Sequence, residues 1–181
     1  MNTRLFPRFS RCFLLTLVGL ALVACSPKYD WREVHGTGIP FVAMFPAKPS
    51  VFSRPVNLDG LTVTMAMTAA EIDGTTFAVG TVELADASQV PAALTAMKTA
   101  MVNNIDGKLN SEKTAVGTGR NGGKSINIDA SGRRGNGQAM RLLARFVAQG
   151  KRIYQVVVLG PEASISHEAG DTFFSAFRPP Q

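Results

Sequence analysis

Two Asp-Gly dipeptides, at residues 59–60 and 73–74, flank a segment in which apolar and polar residues alternate. Aspartate and glycine tolerate the positive φ angles of the tightest turns, so each dipeptide predicts a hairpin with a two-residue loop. The alternation over 61–67 puts Val63, Met65 and Met67 on one buried face of a strand. The predicted pairs are Leu58 with Leu61, Val56 with Val63 and Phe52 with Met67 at the first turn, and Met65 with Val82 and Val63 with Leu84 at the second.

A helix is predicted after this first meander, from Asp86 or Ser88 to about Asp106. Either residue suits the N-cap position, and Pro91 suits the first turn of a helix. Apolar residues recur at spacings of four, three, four and four in one stripe: Val90, Leu94, Met97, Met101 and Ile105. A narrow stripe of this kind is typical of a helix that lies on a sheet.

Three further strands, at about 124–132, 138–148 and 152–160, predict a second meander. A three-residue loop at 135–137 keeps the apolar residues on one face, whereas a two-residue loop mixes them with polar ones. The longer loop pairs Phe146 with Ile126, Ala144 with Ile128 and Leu142 with Ala130. The next turn, at Gln149-Gly150, predicts Phe146 opposite Ile153, Leu142 opposite Val157 and Met140 opposite Leu159. Consecutive valines at 156–158 indicate a central strand that is covered on both faces.

The C-terminal segment 164–174 predicts a second helix, whose buried side is Ile165, Ala169, Phe173 and Phe174. The order of these elements predicts an α+β fold. We expect an antiparallel β-sheet of about six to seven strands in two meanders, with a central helix and a C-terminal helix packed on it.

The N-terminus has the layout of a secretory signal. Arg4, Arg8 and Arg11 precede an apolar run at 13–24, and no acidic residue occurs before Cys25. A helix of this length rises only about 18 Å, which is less than the roughly 30 Å hydrocarbon core of a bilayer. We therefore predict a signal peptide over 1–24, a tether over 25–38 and a single globular domain over 39–181.

The four residues Leu22-Val23-Ala24-Cys25 resemble the bacterial lipobox at every position. The resemblance implies cleavage before Cys25, diacylglycerol on its thiol and acylation of the new amino group. It also implies a lipid-anchored protein of the cell envelope that faces the periplasm. Ser26, where an aspartate implies retention in the inner membrane, favours the outer membrane. The alternative is an ordinary signal peptide followed by a chance cysteine.

Cysteine usage and charge exclude several functions. Cys12 lies in the predicted signal and Cys25 is the predicted lipid site, so the remaining domain has no thiol for a disulfide, a nucleophile or a metal. The signal also carries three of the 19 basic residues and none of the 13 acidic ones, so the formal charge falls from +6 to +3. The basic precursor is thus poor evidence for nucleic-acid binding, and we expect none.

One face of the second meander mixes charged and apolar side chains, and its polar members are Asn127, Asp129, Arg141, Arg145 and Tyr154. One interpretation is a half-covered sheet face on which Asp129 pairs with Arg141 or Arg145 across strands. The other is a site for an anionic small ligand or an envelope protein. No cofactor and no metal are expected, since His167 and Asp171 form only a lone pair one helical turn apart.

A glycine-rich stretch at 117–123 precedes Lys124-Ser125, but Thr118 stands where a phosphate loop needs glycine, and a strand pattern follows instead of a helix. The Phe45-Pro46-x-Lys48-Pro49 opening, Tyr154 and the Phe-Phe-Ser-Ala-Phe ending at 173–177 resemble the PsbP/Mog-type α/β sandwich. That resemblance implies accessory, assembly or partner-binding roles without a shared active site. We therefore expect a non-enzymatic lipoprotein; the alternative is an envelope hydrolase with an unrecognised active site.

Overall fold

The computed structural model describes residues 28–116 and 123–180. The predicted signal peptide 1–24, the lipid site Cys25 and the glycines at 117, 119 and 122 lie outside these residues. The described elements are β1 (Arg32–His35), β2 (Val42–Phe45), β3 (Ser50–Leu58), β4 (Leu61–Ile72), β5 (Thr75–Glu83), α1 (Val90–Asn103), β6 (Lys108–Val116), β7 (Lys124–Arg133), β8 (Ala139–Gln149), β9 (Arg152–Pro161) and α2 (His167–Ala176). The predicted α+β class is confirmed.

Seven strands form one antiparallel sheet in the order β3-β4-β5-β9-β8-β7-β6, and β1 pairs with β2 in a separate ribbon. Each predicted meander is therefore continuous, and the two join where β5 pairs with β9. Both Asp-Gly turns have the expected positive φ angles, 55° and 87° at the first and 50° and 73° at the second. The predicted register of the first hairpin is confirmed, with Val56 opposite Val63.

The second meander has one register as predicted and one that differs. The three-residue loop is confirmed, because Ile126 lies opposite Phe146. The β8–β9 prediction was wrong by two residues, since Phe146 lies opposite Gln155 and not Ile153. The loop is Gly150-Lys151, with Gly150 at φ 56° in the first loop position, as type II′ turns require. A shift of two residues leaves every side chain on its predicted face.

Strand β6 occupies a stretch that the sequence did not predict as a strand. Its side chains are all exposed, so the apolar alternation that marks a half-buried strand is missing. It pairs with β7 at the edge of the sheet, with a register irregularity between Leu109 and Ser111. This edge strand supplies two residues, Ser111 and Lys113, to the groove described below.

Helix α1 covers one face of the sheet. Val90, Leu94 and Met97 of the predicted stripe are buried, and Ile105 is buried just beyond the helix. Asp86 caps a short 3₁₀ turn that precedes α1, where its carboxylate accepts a 2.7 Å hydrogen bond from the Ser88 amide. These side chains form one apolar core with the inward residues of both meanders.

The opposite face is covered by α2 and by the β1–β2 ribbon. The ring of Phe173 lies 5.3 Å from that of Phe45 and 5.4 Å from that of Phe77, measured between centroids. Strand β1 lies inside the predicted tether, and Trp31 packs edge-on against Phe77 at 6.4 Å. The folded domain thus begins before residue 39. No helix among the described residues has the length and apolar character needed to cross a membrane.

Candidate functional site

A groove of about 380 Å³ opens on the α2 face of the sheet and is lined by residues of β6, β7, β8 and α2. Alternate residues of these strands point into it, which is why the sequence alternates polar and apolar positions there. We call it the β7–β8 groove. The side chains that define it are Ser111, Lys113, Asn127, Asp129, Arg141, Leu143 and Arg145 from the strands, and His167, Asp171 and Phe174 from α2.

Asp129 and Arg141 form an ion pair across β7 and β8. Arg141 donates from Nε and Nη2 to the two carboxylate oxygens, at 3.2 and 2.8 Å. The Arg141 hydrogen bonds hold the pKa of Asp129 below its ordinary value, and Asp129 in turn raises the pKa of Arg141. Asn110 donates a further hydrogen bond to Asp129 at 3.2 Å. The predicted cross-strand pair therefore forms, with Arg141 as the partner, and each charge is compensated.

Arg145 is in a different position from Arg141. Its Nε donates to Asn127 Oδ1 and its Nη1 donates to the main-chain carbonyl of Phe174, each at 2.8 Å. The guanidinium also lies 5.4 Å from the centre of the Phe174 ring. Burial lowers the pKa of Arg145, and no carboxylate of the described residues lies within 4 Å of it. The groove thus holds a partly buried cation without a counter-ion.

Tyr154 does not belong to this groove, which corrects the predicted site. It is fully buried, and its hydroxyl donates to the Pro40 carbonyl at 3.3 Å. Burial raises its pKa. Residue 154 lies on the central strand β9, beneath Phe177, whereas the other four predicted residues lie on β7 and β8, nearer the sheet edge. The chain segments that cover Tyr154 are distant from it in sequence.

Four polar groove residues were not among the predicted site residues: Ser111, Lys113, His167 and Asp171. His167 and Asp171 were visible as neighbours on one helix turn, but nothing local indicated which strands that helix covers. Within the described part of the chain, no three His, Cys, Asp or Glu residues group as metal ligands. Within that part also, no hydrogen bond joins Ser111, His167 and Asp171.

A larger open depression of about 670 Å³ lies between the β3–β4 turn and the outer side of α1. Its lining consists of small and neutral side chains, with Asp59 as its single charged group. This lining offers no cationic side chain to an anionic ligand, and its one charge is negative. The charged β7–β8 groove is therefore the candidate site.

No protein-family model matches the sequence, and no curated protein matches it. Among solved structures, the chain is similar to the crystal structure of a protein of unknown function from Pseudomonas aeruginosa. The two share 13% sequence identity with a TM-score of 0.40, over 65% of this chain and 89% of that chain. So weak a likeness carries no functional argument, and the resemblances to the lipobox and to the PsbP/Mog-type sandwich stay predictions.

Proposed function

We propose that this protein is a lipid-anchored bacterial envelope lipoprotein with a non-enzymatic binding role. Its periplasm-facing domain takes a partner or ligand in the β7–β8 groove. The observation that carries the binding role is Arg145, a partly buried guanidinium that no described carboxylate compensates. Partial burial of a cation without a counter-ion costs free energy in the free protein. A bound anion would compensate that charge, so an arginine of this kind is a candidate for ligand binding.

The geometry around Arg145 supports binding because it orients the guanidinium in advance. Its two hydrogen bonds fix it to two different elements, Asn127 on β7 and the Phe174 carbonyl on α2. A side chain that is already fixed loses little conformational freedom when a ligand arrives. The free energy of the ligand contact is then not offset by the cost of ordering the Arg145 side chain.

The anchoring part of the proposal rests on Leu22-Val23-Ala24-Cys25. Two or three acyl chains hold a protein on a bilayer effectively permanently, whereas a single chain binds only weakly. The domain therefore needs no membrane-binding surface of its own, and its groove is free for a partner or ligand. Ser26 favours the outer membrane as the site of attachment.

Photo-crosslinking in the native bacterium tests the groove. A crosslinking amino acid placed at Ser111 points into the groove, and one at Thr114 projects from the opposite face of the same exposed strand. We expect a specific adduct from position 111 and none from position 114, identified by mass spectrometry. Equal adducts from both positions, or none from position 111, would contradict a binding role for the groove.

A hydrolase remains the second candidate, because Ser111, His167 and Asp171 line the same groove. Nucleophilic catalysis needs a base that can reach the nucleophile, and His167 is the only histidine in this groove. The test is complementation of a gene deletion by His167→Gln, which keeps a polar side chain in the groove but cannot act as a base, with His35→Gln on β1 as the control. If the groove only binds, both variants should complement the deletion as the wild type does. Loss of complementation with His167→Gln alone, at normal protein abundance, would favour the hydrolase.

A further inference from the structure

We infer that the β7–β8 groove binds the oxyanion group of a small molecule, a carboxylate or a phosphate, through Lys113, Asn127 and Arg145. This deepens the proposed function, on which it rests, by naming the chemistry of the ligand. The three residues form one row across three adjacent strands. Lys113 lies opposite Asn127 in the β6–β7 register, and Asn127 lies opposite Arg145 in the β7–β8 register.

The spacing of this row suits an anion held above its middle residue. Neighbouring strands lie about 4.8 Å apart, so the Cα atoms of Lys113 and Arg145 are separated by roughly 10 Å. Both side chains are long enough to reach inward over Asn127 from the two sides. Both also line the same groove as Asn127.

Three groups of this row can still donate hydrogen bonds to a ligand. Asn127 Oδ1 accepts from Arg145 Nε at 2.8 Å, and this orientation leaves the Asn127 NH₂ group as a donor for a ligand. Within the described residues, that NH₂ group, Arg145 Nη2 and Lys113 Nζ have no hydrogen-bond acceptor. Asn127 Nδ2 and Arg145 Nη2 are not among the buried, unsatisfied polar atoms of that part of the chain, so both are accessible to solvent, and Lys113 is exposed. Two cations and a neutral amide with free donors are what an oxyanion needs.

The two carboxylates of the groove should repel a bound anion only weakly. Asp129 is compensated by its ion pair with Arg141, and the two side chains are each 24% exposed. Asp171 on α2 is the other carboxylate, and it lies more than 4 Å from the cationic nitrogens of both Lys113 and Arg145. Leu143 and the Phe174 ring add an apolar wall beside the row. A volume of about 380 Å³ fits a small molecule that bears one anionic group.

Side-chain NMR of the full-length protein in detergent micelles tests this inference. The arginine Nε–H and asparagine Nδ2–H₂ signals are followed during titration with sodium acetate, with sodium phosphate, and with sodium chloride at matched ionic strength. We expect saturable shifts of the Arg145 and Asn127 signals with acetate or phosphate, and the stronger of the two identifies the oxyanion. Shifts that follow ionic strength alone, equal to those with chloride, mark adventitious screening and overturn the inference.

Lys113→Ala provides the second arm, because Lys113 is an exposed edge-strand residue whose loss leaves the fold intact. We expect it to weaken oxyanion binding by at least about fivefold through the lost charge-assisted contact. Lys108→Ala, at the start of the same strand and outside the groove, keeps wild-type affinity. Equal affinities of the two variants overturn the assigned row. If the titrations fail while crosslinking from position 111 captures a partner, the oxyanion inference falls and the proposed function stands.

Discussion

At the scale of single residues, the groove is defined by the contrast between its two arginines. Arg141 lies 2.8 Å from the Asp129 carboxylate, which compensates its charge. Arg145 has amide and carbonyl oxygens as partners, which satisfy two of its N–H donors without neutralising its charge. The first arginine is thus explained by the fold, whereas the second retains charge that a ligand can use.

Arg145→Ala is expected to lower the free energy of unfolding by about 2–3 kcal/mol, because it removes two hydrogen bonds and the cation–π contact with Phe174. Urea denaturation of the purified protein measures the change. Arg134→Ala, in the exposed β7–β8 turn, is the matched control and should change stability by less than about 0.5 kcal/mol. Equal effects of the two substitutions would show that the Arg145 contacts do not stabilise the domain.

The Asp129–Arg141 pair predicts a dependence of stability on pH. The folded-state pKa of Asp129 is lowered, so its stabilisation is fully present above the unfolded-state pKa of about 3.9 and is lost as pH falls through the folded value. Wild type should therefore be more stable than Asp129→Asn at pH 7, and the difference should shrink steadily below about pH 4. Unfolding free energies measured from pH 7 down to pH 2 check this. A difference that stays constant over that range would contradict it.

Four of the five predicted face residues could be placed together from the sequence, because strand alternation fixes which side chains share a face. Tyr154 shares that face but is covered, and the residues that cover it are far away in the chain. The same limit applies to His167 and Asp171, since the helix period relates them to each other but not to the strands beneath. Local pattern therefore predicts a face, while access to it depends on packing between distant segments.

At the scale of secondary-structure elements, the residues of each turn determined whether the strand register could be predicted from the sequence. Asp-Gly has two residues that tolerate positive φ, so the loops at 59–60 and 73–74 were unambiguous. At residues 149–151 a single glycine has polar neighbours on both sides, and either neighbour can complete a two-residue loop. The structure uses Lys151, which moves the register by two residues and preserves both faces. Strand β6 was not predicted because neither of its faces is buried, so its sequence lacks the alternation of apolar and polar residues.

Gly150→Ala tests the β8–β9 turn. A Cβ atom at Gly150 meets nothing within 4 Å, but the φ of 56° is unfavourable for alanine, so we expect a loss of about 1–2 kcal/mol in unfolding free energy. Gly135→Ala is the control, since a Cβ atom there also meets nothing within 4 Å and φ is not positive. Thermal or urea unfolding of both variants measures the difference. Equal stability of the two variants would rule out the positive-φ turn at Gly150.

At the scale of the whole molecule, one sheet separates two apolar layers, and the N-terminal segment belongs to the second layer. Lys28 pairs with Asp73 at 3.0 Å, and the Asp30 amide donates to the Pro46 carbonyl at 2.9 Å. Two residues lie between Cys25 and Lys28, and an extended chain spans at most about 10 Å over these three residue steps. The proposed lipid on Cys25 would therefore keep the domain close to the bilayer, and a ligand or partner of the groove would have to be reachable near the membrane surface.

The central claim is that lipid on Cys25 holds this domain at a bacterial membrane. Mass spectrometry of the N-terminal peptide, from protein extracted from the membranes of the native bacterium, tests it most directly. We expect a peptide that begins at Cys25 and carries diacylglycerol on the thiol and an acyl chain on the amino group. The Cys25→Ala variant should lack both and leave the membrane fraction. An unmodified Cys25, or unchanged membrane fractionation of Cys25→Ala, would contradict it.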